Sequence, residues 1–214
     1  MDKILLVTFL SSIAVFITAV ISMVKLVNEK ENKTGEFRQL WINSVRTCIS
    51  DLAAKLTAVT EGLEYQKRLM DLSTRLAEKE GEINEKRRND VEETLKTVRS
   101  ELTEHHHDLY QSYALCKLHF KPNENEFKPI EEKFNLIFKK NDAISKSKVK
   151  ADRFERKFEN YAYIEEIIEV GRSILKKEWE RVKSGENIYI RTKQYSFFGG
   201  IFMLFLFLSV AGYA

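Results

Sequence analysis

The sequence predicts an all-α membrane protein in which two transmembrane helices flank a cytoplasmic antiparallel bundle of long helices. Three observations carry that expectation. Charge is partitioned: Ile4 to Val24 and Gln194 to Ala214 hold no charged residue, and only Asp2 and Lys3 lie outside the charged stretch Lys25 to Lys193. Helix breakers are scarce, with 2 Pro and 8 Gly among 214 residues. Inside the charged stretch, apolar residues recur three and four positions apart, the spacing of one helical face. Strand-like alternation is confined to Ile188-Tyr189-Ile190, too short to build a sheet. The chain therefore divides into a first crossing over 1–24, a helical domain over 25–194 and a second crossing over 195–214.

Ile4 to Val24 is a run of 21 uncharged residues, enough to span a hydrocarbon core of about 30 Å. A cleaved signal peptide is the rival reading, but its apolar run is about 7–15 residues. Ile21 to Lys25 also offers no small-x-small cleavage site. At about 100° per residue, Thr8, Ser11, Ala14, Thr18 and Ser22 share one side of this helix. Such a face suits close helix packing in lipid. In a homo-oligomer the same residues could line a polar path, so both readings stand.

Lys25 to Gly35 is polar and reads as a linker hinged at Gly35. From Glu36 onward Phe37, Trp41, Val45, Cys48, Leu52, Leu56, Val59 and Leu63 form a helical stripe that can continue through Leu69, Leu72 and Leu76. Lys79 to Asn89 is almost wholly polar, with Gly81 and Asn84, and marks a turn or weakened helix. Val91, Leu95, Val98, Leu102, Leu109, Tyr113 and Cys116 define the next helix, which must stop near Pro122. Pro122 to Pro129 reads as a loop. Ile130, Phe134, Phe138 and Ile144 mark a shorter helix, interrupted by the Ser/Lys-rich Ser145 to Lys150. Phe154, Phe158, Tyr161, Ile164, Ile168, Ile174, Leu175, Trp179 and Val182 mark a last long helix, with Ser184-Gly185 as its stop.

The second crossing, Tyr195 to Tyr213, carries five Phe and a Tyr at each end, where an amphipathic ring sits at headgroup level. Lys25, Lys30, Lys33 and Arg38 follow the first crossing, and Arg181, Lys183, Arg191 and Lys193 precede the second; outside stands only Lys3. The positive-inside rule then predicts a cytoplasmic centre with both termini outside. Cys48 and Cys116, far apart in sequence, read as reduced thiols in a reducing compartment rather than as a disulfide framework or metal site.

Catalytic signatures are absent: there is no P-loop, dinucleotide fingerprint, HExxH or GxSxG. Neither a catalytic residue, a metal site nor a cofactor is expected. Glu104-His105-His106-His107-Asp108 is a tempting metal cluster, but successive helical residues diverge by about 100°, so the three His cannot share an ion. Glu165, Glu166 and Glu169 read as a solvated face, and Glu178 with Arg181 as a structural pair. A net charge of +3 spread among 32 acids is no one-sided basic patch, so direct sequence-specific nucleic-acid binding is not expected. Partner-contact candidates are Arg38, Trp41 and Arg46 after the first crossing and Trp179 with Arg181 before the second. The competing roles are core packing for the two Trp and positive-inside anchoring for the Arg residues.

Three strings are more specific than periodicity. Glu36-Phe37-Arg38-Gln39-Leu40-Trp41-Ile42-Asn43, followed by Arg46, resembles the EFRQxWIN…R opening of a group of small two-crossing bacterial membrane proteins. Leu118-His119-Phe120-Lys121-Pro122-Asn123-Glu124 resembles that group's PNE turn. Ile174 to Glu186 resembles its closing ILKxEWERVKxGE helix. The architecture is similar to the two-transmembrane effector of bacterial retron antiphage systems. That likeness implies an inner-membrane toxin of abortive infection, held silent by the retron reverse transcriptase with its RNA–DNA product and damaging the bilayer on release. The rival reading is a non-catalytic membrane-anchored adaptor whose helices present a partner-binding surface.

Overall fold

A computed structural model describes residues 3–78, 81–122, 125–146, 150–184 and 187–212. It is all-helical: α1 (Lys3–Ala77), α2 (Glu82–Leu118), α3 (Lys128–Lys146), α4 (Lys150–Ser184) and α5 (Asn187–Gly212), with no strand among the described residues. Two compact bodies divide the chain, one comprising Met1–Ile42 with Lys177–Ala214 and the other Asn43–Lys176.

The body Asn43–Lys176 is an antiparallel four-helix bundle whose neighbours follow chain order and close on themselves. The α1–α2 seam brings Lys55 to Ser112 and sets Gly62 under Leu102. The α2–α3 seam joins Tyr113 and Lys117 to Glu131 and stacks Tyr113 on Phe134 with ring centroids 4.1 Å apart. The α3–α4 seam pairs Lys133 with Glu166 and Lys140 with Glu159. The ring closes where Lys157 and Tyr161 of α4 reach Glu61 and Glu64 of α1, and where Gly171 lies against Ile49. Short connections force antiparallel neighbours, and each amphipathic helix buries its stripe against two others.

The bundle core is built from Val45, Leu52, Leu56, Leu109, Ile130, Ile137 and Ile167, all essentially inaccessible. Burying a side chain of this size stabilises by roughly 1.5–3 kcal/mol. Four polar residues join them: Thr60, Ser112, Asn141 and Asn160. Asn160 Nδ2 donates to Asn141 Oδ1 at 2.7 Å, while Asn141 Nδ2, Asn160 Oδ1 and Thr60 Oγ1 find no protein partner.

Helix ends follow local chemistry. Gly81 takes φ 131°, which side-chain-bearing residues rarely adopt, and its carbonyl accepts from Asn84 N (3.0 Å) and Glu85 N (3.1 Å). Glu82 and Glu85 in the first turn of α2 complement the positive end of the helix dipole. Tightened turns at His119 and Phe120 close α2 before Pro122, and Pro129 sits in the first turn of α3, where its missing N–H costs nothing. Asn123, Glu124, Gly185, Glu186 and Tyr213 lie outside the described residues.

Two expectations are corrected. Lys25–Gly35 is not a linker: it is continuous helix inside α1. One Gly costs about 1 kcal/mol in a helix, less than unmaking the surrounding turn, and Thr34 Oγ1 returns a bond to Lys30 O at 2.9 Å. The buried faces are also rotated from the apolar stripes at their ends. Phe37 and Phe158 are exposed, and the α4 face runs Asn160, Ile164, Ile167, Gly171, Ile174. Ile188-Tyr189-Ile190 is helical, within α5.

In the other body, the start of α1 is the one helix among the described residues that is long and apolar enough to cross a membrane. Its most apolar stretch has a mean hydropathy of 2.2 and is not buried. On α5, Phe197, Phe198, Ile201, Phe202 and Phe205 are exposed.

Candidate functional site

Exposed apolar chemistry is concentrated at the start of α1. Val7, Leu10, Val15, Phe16, Ile17, Ile21, Met23 and Leu26 are all exposed, far more contiguous apolar surface than water tolerates without a covering phase. Ser11, Ala14, Thr18 and Ser22 are exposed as well; the side chain of Thr8 is outside what the structure describes. Thr18 Oγ1 donates to Ala14 O at 2.9 Å. That bond satisfies the hydroxyl proton internally and leaves oxygen lone pairs outward, a combination that lipid permits and a polar contact can use.

The five contact candidates divide between the bodies. Arg38, Trp41, Trp179 and Arg181 belong to the body with the apolar helices, and Arg46 to the bundle. Trp41 is half-buried. Trp179 is 42% exposed, which overturns core packing for that ring, and Lys183 Nζ lies 5.6 Å from its centroid. Arg181 pairs with Glu178 at 2.8 Å, and Arg46 donates to Asn43 Oδ1 at 3.2 Å.

A concavity of about 820 Å³ at the α2–α3 turn is a feature that periodicity does not reveal. Tyr113, Phe120 and Phe127 floor it, Leu118 stands 81% exposed beside it, and Lys117, Lys121 and Lys128 rim it. Glu131 on the same wall accepts from Tyr113 Oη at 2.7 Å and Lys117 Nζ at 2.6 Å. The Lys117 and Tyr113 bonds hold its carboxyl below the usual range. Burial, then the Glu131 bond, raises the Tyr113 phenol well above its ordinary value. An apolar floor under a lysine rim fits an acidic partner surface.

The remaining clusters have structural partners. His106 is half-buried, its Nδ1 2.7 Å from Leu102 O and its ring edge-on to Phe138, while His105 and His107 are exposed. Glu166 pairs with Lys133 and Glu169 with Arg172. Among the described residues no group of three His, Cys, Asp or Glu is placed to hold a metal ion. Ser112 Oγ accepts from Lys55 at 2.6 Å and donates to Asp51, a bond that lowers the Asp51 carboxyl pKa. Ser112 is 2% exposed, and its hydroxyl is spent on the bonds that pin α1 to α2. Cys48 and Cys116, distant in sequence, lie on the two sides of the same seam, Cys48 Sγ 3.8 Å from the carbonyl of Ser112, one helical turn before Cys116.

Comparison with protein-family models, curated proteins and solved structures gave no match.

Proposed function

We propose that this chain is a membrane-embedded effector of bacterial antiphage defence, an inner-membrane toxin restrained by a partner complex and active on the bilayer when released. One observation carries the reading: the start of α1 exposes its apolar side chains together with the hydroxyl-bearing face of Ser11, Thr18 and Ser22. Lipid is the phase that accepts the first, and a second copy of the chain is the partner that suits the second. The uncharged run Gln194 to Ala214 supplies the second crossing, returning a cytoplasmic bundle to the membrane.

In this reading the restraining partner is a retron reverse transcriptase with its RNA–DNA product, and the lysine-rimmed concavity is where an acidic surface of that complex would rest. Expression of the chain alone in a bacterium should arrest growth and collapse the membrane potential, read with a voltage-sensitive dye. Ser11→Leu with Thr18→Leu should remove toxicity without removing the chain from the membrane. Harmless expression together with a stable co-purifying partner would instead favour the adaptor reading, for which the same concavity is the supporting observation.

A further inference from the structure

The α1–α2 seam holds chemistry that neither membrane insertion nor partner docking uses. Cys48 lies on α1 and Cys116 on α2, 68 positions apart in sequence. Cys48 Sγ reaches the carbonyl of Ser112 at 3.8 Å. Ser112 and Cys116 stand one helical turn apart on α2, so both face Cys48, and the Asp51–Ser112–Lys55 bonds fix that register. The two thiols differ in surroundings. Cys116 is fully buried, whereas Cys48 is half-exposed. The neighbouring Cys116 thiol is the leading influence that lowers the Cys48 thiol pKa, against burial and Asp51 and with Lys55; the Cys48 thiol, then burial, raises that of Cys116. An accessible, acidified thiol beside a buried one is the arrangement of an attacking and a resolving cysteine.

We propose that Cys48 and Cys116 form a peroxide-oxidisable dithiol that closes into a disulfide clamping α1 to α2. The Cys48 thiolate attacks one oxygen of hydrogen peroxide; the O–O bond breaks, and Cys48 becomes a sulfenic acid as water leaves. The Cys116 sulfur then attacks the Cys48 sulfur. The S–OH bond breaks, and the hydroxide departs as water with the Cys116 proton. Two thiols and one peroxide give one disulfide and two waters. The bridge closes the chain over 48–116 and fixes α1 relative to α2, so oxidation would stiffen the helix that carries the apolar segment.

The test uses the full chain in detergent. The protein is exposed to hydrogen peroxide, quenched with an alkylating reagent under denaturing conditions, and weighed intact and as peptides. The expected result is a monomer lighter by two hydrogens, unalkylated, with the Cys48 and Cys116 peptides joined, and a thermal transition above that of the reduced protein. Cys116→Ser should stop at the sulfenic acid, captured by dimedone at Cys48, and Cys48→Ser should give no intramolecular product. Wild-type protein that keeps two alkylatable thiols after peroxide, or forms only intermolecular disulfides, would overturn the proposal whatever the variants do.

Discussion

Lys157 is the residue on which the α1–α4 seam turns. Its ammonium bonds Glu61 and Glu64 at 2.9 Å each, with its own side chain 15% exposed. Burial opposes its charge, yet the Glu64 and Glu61 bonds prevail and raise its pKa above the ordinary lysine value. The Tyr161 bond, then Lys157, lowers the Glu61 pKa. The two signs set a window. The depressed Glu61 contributes stability above the ordinary carboxylate range near 4.3 that is lost as pH falls through its folded value. The raised Lys157 contributes stability below about 10.4 that is lost as pH rises through its folded value. Lys157→Met should therefore lower stability at neutral pH by about 1 kcal/mol, and the gap from wild type should narrow as Glu61 protonates in acid. Thermal melts of the solubilised chain across pH check this; a gap constant into acid would refute it. Residue-level legibility was uneven. The apolar spacing found Ile130 and Phe134, but continued to Phe138 where the buried face passes through Ile137 and Asn141. A hydrophobicity pattern skips Thr60, Ser112, Asn141 and Asn160 because only their neighbours' geometry reveals that they are inside.

At the scale of elements, the two buried-seam glycines make opposite demands. A methyl on Gly62 would meet Leu102 Cδ2 at 2.8 Å, the far end of a flexible side chain. A methyl on Gly171 would meet Ile49 Cδ1 at 2.8 Å and Cγ2 at 3.0 Å, both arms of a β-branched side chain fixed on the facing helix. Either replacement by Ala gains roughly 1 kcal/mol of helix propensity. Gly62→Ala should come out near neutral, whereas Gly171→Ala should destabilise by about 1–3 kcal/mol as the helices are forced apart. Denaturant unfolding of both variants tests the order, and equal effects would contradict it. Most helix boundaries were legible because Gly81, Pro122 and Pro129 act through backbone constraints that need no tertiary context. The stretch Lys25–Gly35 was not, since a polar composition describes a solvated helix as well as a linker. Its helical state depends on continuity with the turns on either side, which a local window does not see.

For the whole molecule, topology is the decisive property, and it rests on charge placement. Eight Lys and Arg side chains flank the central region at its two ends, against Lys3 alone on the other side. On the proposed reading, this bias would keep the central region inside and send the termini across. Length agrees with the proposal: each uncharged run is long enough for a bilayer core, and two crossings would return the chain to the side from which it left. The experiment needs a background free of native thiols, Cys48→Ser with Cys116→Ser, and one reporter at a time. Asn125→Cys, at the exposed α2–α3 turn, should react with a membrane-impermeant maleimide only after the inner membrane is opened. Asp2→Cys should react in intact cells, and an alkaline carbonate wash should leave the chain in the membrane fraction. Labelling of Asn125→Cys from outside would reverse the orientation, and release by carbonate would remove the crossings altogether, taking the effector reading with them.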